Sequence, residues 1–175
     1  MSALVRTATV AYGGMRAFLK KLESPLLLAI RLYWGWQFAA DGWGKLNHLQ
    51  RVGLYFESLN LPMPHQTALF VSIVEFAGGI LLAVGLATRL TALVLFINMT
   101  VAFLAAEKPA FLAVLSAPDK FQAADAYNYW FAALLVMILG PGLFALDTPL
   151  ALRFSRPAMA AKSALSSVRS IFKQK

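Results

Sequence analysis

The sequence predicts an all-α membrane protein: a bundle of four transmembrane helices with both termini in the cytoplasm. Three observations lead to this prediction, namely the composition, the lengths of the apolar segments and the distribution of positive charge. Of the 175 residues, 59% are hydrophobic and 14% are charged, whereas soluble domains average about 45–50% apolar and about 25% charged residues. Backbone polar groups must be satisfied within lipid, so long apolar segments of this kind are expected to be helices.

Four apolar segments approach the roughly 20 residues that a helix needs to cross a bilayer. They cover residues 25–43, 67–87, 90–106 and 128–147. Ser24 and Pro25 suit the cap and the first turn of the first segment, and the prolines of "LPMP" precede the second. The short stretch "GLATR" predicts that the second and third segments form an antiparallel hairpin.

The chain is expected to divide into a basic N-terminal segment at 1–24, a membrane domain at 25–150 and a basic tail at 151–175. Both flanking segments mix basic and apolar residues at helical spacing, which fits either a helix on the inner membrane surface or a solvated tail. Removal of 157–175 is expected to leave the bundle folded.

Lysine and arginine predict the orientation. With a cytoplasmic N-terminus, eleven basic residues lie on the inner side of the four segments and four lie on the outer side. The outer four are Lys45, Arg51, Lys108 and Lys120. This excess favours cytoplasmic termini. The net charge of +8 lies beside apolar segments, which indicates anionic lipid headgroups as the partner rather than nucleic acid.

Two outer connections carry apolar residues. In the first, a set of apolar residues at helical spacing predicts an amphipathic helix. Its members are Leu49, Val52, Tyr55, Phe56 and Leu59. In the second, "AFLAVL" is too short to cross a bilayer and is expected to dip into the interface or to cover the mouth of the bundle.

Each of the first three segments contains a polar residue that lipid would reject: Arg31, Glu75 and Asn98. An ionisable group at mid-bilayer costs on the order of 2.5–3.5 kcal/mol on insertion scales. Depth estimates at about 1.5 Å per residue place the three in one layer, where Arg31 would compensate Glu75 and Asn98 would add a hydrogen bond. This layer is either a pocket for a headgroup or a proton, or a pair that only fixes helix register.

The helix faces support close approach of these segments. Small residues share a face with each polar residue, and such faces let membrane helices come close together. They are Gly35, Ala39 and Gly42 for Arg31; Gly78, Gly79 and Ala83 for Glu75; and Ala102, Ala105 and Ala106 for Asn98.

A second polar group lies near the outer end of the first segment. It comprises Asp41, Lys45 and His48, with Trp34, Trp36 and Trp43 nearby. Asp41 and Lys45 stand four residues apart and could pair on one helix face. The tryptophans are either interface anchors or the lining of a quinone-like pocket. The two histidines of the chain, His48 and His65, have no neighbouring ligand residues and are expected at the surface.

Chemistry by this chain alone has little support in its residues. The absence of cysteine excludes disulfides, thiol redox chemistry and thiolate metal sites. No phosphate-binding loop, nucleophile elbow or paired catalytic carboxylate motif occurs. We therefore expect no catalytic residue and no metal site within it.

Three stretches resemble the DoxX family in the right order. "LLLAIRLYWGWQFAADGWGKL" is similar to the opening span, with Arg31, Gly42 and Lys45. "VEFAGGILLAVGLATRLTAL", which contains Glu75, is similar to the second signature, and "GPGLFALD", which ends at Asp147, resembles the closing motif. The sequence departs from the family where Glu107 stands near a position that is histidine in many members, and where Ala145 replaces the usual serine.

The resemblance implies a four-helix, multi-pass protein of the bacterial inner membrane. Family members are associated with quinone-linked sulfur oxidation and with membrane complexes for thiol and oxidative-stress defence. The resemblance therefore implies a non-catalytic subunit or anchor of an oxidoreductase rather than a stand-alone enzyme. Such a subunit would have other oxidoreductase subunits or further copies as partners, a quinone as candidate ligand and no covalently bound cofactor. The alternatives are a transporter of protons or small molecules and an assembly factor without a ligand.

Overall fold

The computed structural model describes residues 3–149 of the chain, and this part is all-helical. Seven helices follow one another: α1 (Ala3–Asn47), α2 (Leu49–Ser58), α3 (Pro64–Val84), α4 (Thr88–Ala106), α5 (Lys108–Leu112), α6 (Pro118–Ala123) and α7 (Asp125–Leu139). The predicted fold class, all-α, is confirmed for these residues.

The four longest helices form the body of the fold. The packing of α1 against α3 and of α4 against α7 is the most extensive, and the contacts between α3 and α4 and between α1 and α7 are smaller. A core of fully buried apolar side chains lies between these helices, including Phe38, Leu82, Leu95 and Val136. Between membrane helices such side chains act through close packing, because lipid tails are as apolar as the core itself.

Two helices are long and apolar enough to cross a bilayer, α3 and α4, and α7 is a shorter apolar helix. Both candidate spans expose large apolar side chains on their outer faces, among them Phe70, Ile73 and Ile97. Such surfaces are expected against lipid and are uncommon in soluble proteins. Membrane crossing by α1 and α7, and the placement of the termini, stay predictions.

The predicted start of the first long helix, at Ser24 and Pro25, is wrong. Helix α1 passes through Pro25 without a break, and Ser24 does not cap it. The Ser24 hydroxyl instead accepts a hydrogen bond from the Leu143 backbone N–H at 3.4 Å. A proline inside a helix costs about 3 kcal/mol, but "MRAFLKKLE" consists mainly of strong helix formers that continue the helix upstream. The predicted tail at 151–175 lies outside the described residues.

The small-residue faces predicted for α1 and α3 meet as expected. A Cβ atom added to Gly42 would lie 2.3 Å from the Phe76 nitrogen, and one added to Gly35 would lie 2.7 Å from the Gly79 oxygen. The two helices therefore touch backbone to backbone. This contact fixes their register, with Gly42 opposite Phe76.

The outer connections form short helices that lie on the ends of the long ones. Helix α2 confirms the predicted amphipathic element in the first connection. In the second, Phe111 and Phe121 pack on Phe103 of α4 with ring centroids 5.3 and 5.2 Å away. The sequence predicts that the segment "AFLAVL" either dips into the interface or covers the mouth of the bundle. Phe111 covers the end of the bundle in this way, whereas Leu115 at the end of the segment is 93% exposed.

Candidate functional site

A cavity of about 750 Å³ opens at the end of the bundle where α1 finishes and α7 begins. Helices α1, α2, α3, α4 and α7 all contribute to its lining. Its polar residues include Asp41, Lys45, Glu75, Asn98 and Tyr129, and its apolar walls include Val52, Phe56, Leu59, Val71 and Val101. The cavity thus combines mostly apolar walls with a few convergent polar groups, as ligand sites commonly do.

Glu75 is the most deeply buried polar residue of this cavity, at 1% exposure. One carboxylate oxygen forms an ion pair with the Lys45 ammonium, and the other accepts a hydrogen bond from the Asn98 amide at 3.1 Å. Both oxygens therefore have partners, which is what makes a buried carboxylate tolerable. The contact at Gly42 brings α1 close to α3 just before Lys45, so that the lysine reaches across.

Asp41 takes a different partner from the one predicted. Its carboxylate accepts a hydrogen bond from the Tyr129 hydroxyl of α7, and the predicted ion pair between Asp41 and Lys45 is absent. Lys45 turns toward Glu75 because a fully buried carboxylate needs a counter-charge more than an exposed one does. The Tyr129 ring is held edge-on by Trp34 and Phe38, with centroids 5.4 and 5.0 Å away.

The predicted pair between Arg31 and Glu75 is wrong. Arg31 is completely buried, but it lies toward the opposite end of the bundle, where Nη2 donates to the Phe144 carbonyl at 3.1 Å. A Cβ atom added to Gly85 would lie 1.8 Å from Arg31 Nη1, so Arg31 stands level with Gly85. Ten residues of helix, roughly 15 Å, separate that level from Glu75.

The register of the first two spans explains this error. The predicted spans placed residues 25 and 87 at equal depth, whereas the observed contact sets Gly42 opposite Phe76. Helix α1 is therefore displaced by about six residues, roughly 9 Å, from the predicted alignment. That displacement carries Arg31 away from Glu75 and brings Lys45 to it.

The segment after α7 closes the Arg31 end. Asp147 accepts hydrogen bonds from the backbone N–H groups of Ala87 and Thr88 at 2.6 and 2.7 Å, and its own N–H donates to the Gly85 carbonyl at 3.0 Å. Burial opposes the ionisation of Asp147, but these hydrogen bonds and the charge of Arg31 hold the pKa of its carboxyl below the ordinary value. Asp147 thereby caps the first turn of α4.

The remaining predicted site residues separate into two groups. Glu107 lines the cavity and accepts hydrogen bonds from the backbone N–H groups of Asp125 and Ala126 at 3.2 and 3.4 Å, at the start of α7. Trp43 lies outside the lining, packed on Phe76 at 5.5 Å between ring centroids. Trp34 and Trp36 do not line this cavity either, so a tryptophan-lined pocket is not what forms here.

Both histidines are exposed, as expected. The His48 ring nitrogen Nδ1 lies 2.8 Å from the Gly44 carbonyl at the end of α1. His65 lies against Gly53 of α2. Neither residue lines the cavity.

Sequence reasoning missed several polar lining residues, among them Tyr129 and Arg51. Tyr129 begins the last apolar segment, where a tyrosine is usually an interface anchor, and Arg51 belongs to an outer loop that has many reasons to be charged. Neither position carries a local signal. Only the packing of α7 and α2 around Glu75 brings them to the site.

These features define a class: a small helical membrane protein with a ligand-sized polar cavity at one end of its bundle. Residues 26–108 match the DoxX family model, and this match supports the assignment of the chain to that family of membrane proteins. The matched segment contains Arg31, Lys45, Glu75 and Asn98, whereas Tyr129 and the Asp147 cap lie beyond it. Comparisons with curated proteins and with solved structures gave no match.

Proposed function

We propose that this protein is the membrane-embedded subunit of a quinone-linked oxidoreductase and that the cavity beside Glu75 receives the quinone headgroup. In this proposal the chain crosses the bacterial inner membrane four times, with both termini in the cytoplasm. The observation that carries the proposal is a ligand-sized cavity with mostly apolar walls, in which Lys45 and Asn98 contact the buried carboxylate of Glu75.

The size and lining of the cavity support a small, mostly apolar ligand. Pockets for such ligands usually measure about 300–1,000 Å³ and are mainly apolar, with a few polar groups that orient the ligand. The volume here is about 750 Å³. A flat ring with oxygen substituents suits this combination better than a strongly charged metabolite does.

The donor set fits a quinone. The Lys45 ammonium has three N–H donors and the Asn98 amide has two, and Glu75 engages one of each. The remaining donors can hold a ligand oxygen, while the Glu75 carboxylate can accept or return a proton. A bound quinone would supply the two-electron chemistry that these side chains lack.

The closed end of the bundle favours a binding site over a transport path. Between the levels of Glu75 and Arg31, the interior is filled by Phe38, Leu82, Leu95 and Val136, each at 1% exposure or less. A ligand that enters the cavity therefore meets a packed core. The electrons would come from a partner subunit, which the association of DoxX proteins with oxidoreductases suggests.

Ligand binding by the purified protein tests the proposal. The protein in lipid nanodiscs is titrated with a short-chain ubiquinone and a short-chain menaquinone. Glu75→Gln and Lys45→Met are each expected to weaken binding at least tenfold, about 1.4 kcal/mol. Glu57→Gln and Lys120→Met, at exposed positions outside the cavity lining, serve as matched controls and are expected to bind like the wild type.

Two results would contradict the proposal. One is a wild-type protein that binds neither quinone. The other is an equal loss of quinone affinity in the cavity variants and in their controls, because such a loss would not come from the residues around Glu75.

A further inference from the structure

The cavity has a side that is poorly covered, between α2 and α4. We infer that this side is an entrance for the hydrocarbon tail of a membrane-dissolved ligand, whose polar, oxygen-bearing head rests near Glu75. The inference rests on the proposed function and adds the class of ligand: an amphiphile with one polar head and one long tail. Four structural features support it.

The first feature is the position of the cavity between α3 and α4. In the half nearer their connecting turn, the space between the helices is filled, since a Cβ atom added to Gly78 would lie 2.9 Å from the Leu95 side chain. Toward the other end, Val71 of α3 and Ala105 of α4 line the cavity instead. The cavity therefore lies between these parts of the two helices, beyond the Asn98–Glu75 hydrogen bond that still joins them.

The second feature is the one-sided placement of α2. This helix packs on α3, where Gly53 lies so close to His65 that an added Cβ atom would be 2.1 Å from its ring nitrogen. Helix α2 also contacts α1, but its packing against α4 is at most slight. It thus covers the cavity from the α3 side and leaves a gap on the α4 side.

The third feature is the apolar character of the rim. Leu59 and Leu61 line it at the end of α2, and Val101 lines it from α4. The charged lining residues Arg51, Glu107 and Asp125 instead stand at helix ends, at the mouth of the bundle. A hydrocarbon chain that lies across the side rim contacts apolar residues, so no charged group has to be removed from water. A chain that lay across the mouth of the bundle would have to desolvate these charged residues, which costs free energy.

The fourth feature is the position of Val101. It is 54% exposed and lies on α4, one of the two helices able to cross a bilayer. Its neighbours Ile97 and Leu104 are 53% and 42% exposed, as expected for a surface against lipid. The rim on α4 therefore continues into the apolar outer face of that helix.

A bulky side chain placed at the rim tests whether the tail of the ligand, rather than its headgroup, passes there. The test ligands are a trimethyl-decyl-benzoquinone and tetramethyl-benzoquinone, which share a headgroup and differ in the tail. Val101→Trp is expected to weaken binding of the decyl compound at least tenfold and to leave the tail-free compound within about twofold. Val94→Trp is the matched control because Val94 is 42% exposed on the same helix and lies outside the lining; it should change neither affinity.

The outcomes distinguish the entrance from the site. If Val101→Trp weakens both ligands equally, or weakens neither, the side entrance is overturned while binding near Glu75 stands. If the wild type binds neither compound, the proposed function fails and the entrance with it. Since both positions are exposed, the tryptophans are expected to be accommodated, and unfolding temperatures in detergent check this for each variant.

Discussion

The two ends of the bundle each hold a buried charge, and they satisfy it in different ways. At one end the Glu75 carboxylate is held by two side chains and borders a cavity. At the other end the Arg31 guanidinium donates to a backbone carbonyl and is enclosed by the turn at Gly85 and the segment that ends at Asp147. The difference shows that a buried charge in an apolar helix is not by itself a site.

Partners and adjacent space decide what such a charge can do. The Lys45 side chain is 34% exposed, so it can exchange some of its contacts for those of a ligand. Arg31 has no such freedom because it is completely buried among neighbouring helices. We therefore expect changes near Arg31 to lower stability and changes near Glu75 to alter binding.

The largest effect is expected at Gly85. Its φ of +77° disfavours any side chain, and an added Cβ atom would meet Arg31 Nη1 at 1.8 Å and the Ala145 Cβ at 2.8 Å. Gly85→Ala should lower the free energy of unfolding by about 2–4 kcal/mol, from left-handed backbone strain and overpacking. Chemical unfolding in detergent measures it. Gly44→Ala is the control, since nothing lies within 4 Å of a Cβ atom there; equal loss in both would contradict the account.

Asp147 should follow in size. Asp147→Asn weakens two charge-assisted hydrogen bonds at the start of α4 and should cost about 1–2 kcal/mol, with quinone binding unchanged. Since the pKa of Asp147 is lowered in the folded state, its contribution is present at neutral pH and is lost as pH falls through that pKa. The difference from the wild type should therefore shrink in acid. Asp119→Asn, at an exposed position, controls for charge; a difference independent of pH would contradict this role.

A smaller effect is expected at Tyr129. Tyr129→Phe removes one hydrogen bond to Asp41 and should lower the unfolding free energy by about 0.5–1.5 kcal/mol. Tyr33→Phe is the matched control because Tyr33 is 59% exposed. If the two variants unfold alike, the Asp41–Tyr129 contact contributes nothing to holding α7 against α1.

The smallest effect is expected at Glu107. Its carboxylate faces the first backbone N–H groups of α7, where a negative charge contributes about 0.3–1 kcal/mol. Glu107→Gln should lower stability by that amount, measured as a small downward shift in unfolding temperature. High salt should reduce the shift. Glu57→Gln is the control. A loss of stability in this variant as large as that in Glu107→Gln would contradict the capping role of Glu107.

Much of the fold could be predicted from periodicity and residue size. The hairpin of α3 and α4, the amphipathic helix α2 and the small-residue contact between α1 and α3 all follow from local pattern. These features depend on which residues share a helix face, and the spacing of residues along the sequence determines this directly.

The partner of Glu75 could not be predicted in the same way. It depends on how far one helix slides along another, and the assumed helix start at Pro25 placed α1 about six residues out of register with α3. Both Arg31 and Lys45 are chemically suitable partners for a buried carboxylate. Only the contact of Gly42 with Phe76 selects Lys45.

A pair of double-mutant cycles tests the central claim that the two polar ends are separate. Unfolding free energies in detergent are measured for Lys45→Met, Arg31→Met and Glu75→Gln and for the two doubles that contain Glu75→Gln. The account predicts that Lys45 and Glu75 couple by about 1 kcal/mol or more, while Arg31 and Glu75 add within about 0.5 kcal/mol because they lie too far apart to interact. Coupling of Glu75 to Arg31, with none to Lys45, would contradict it.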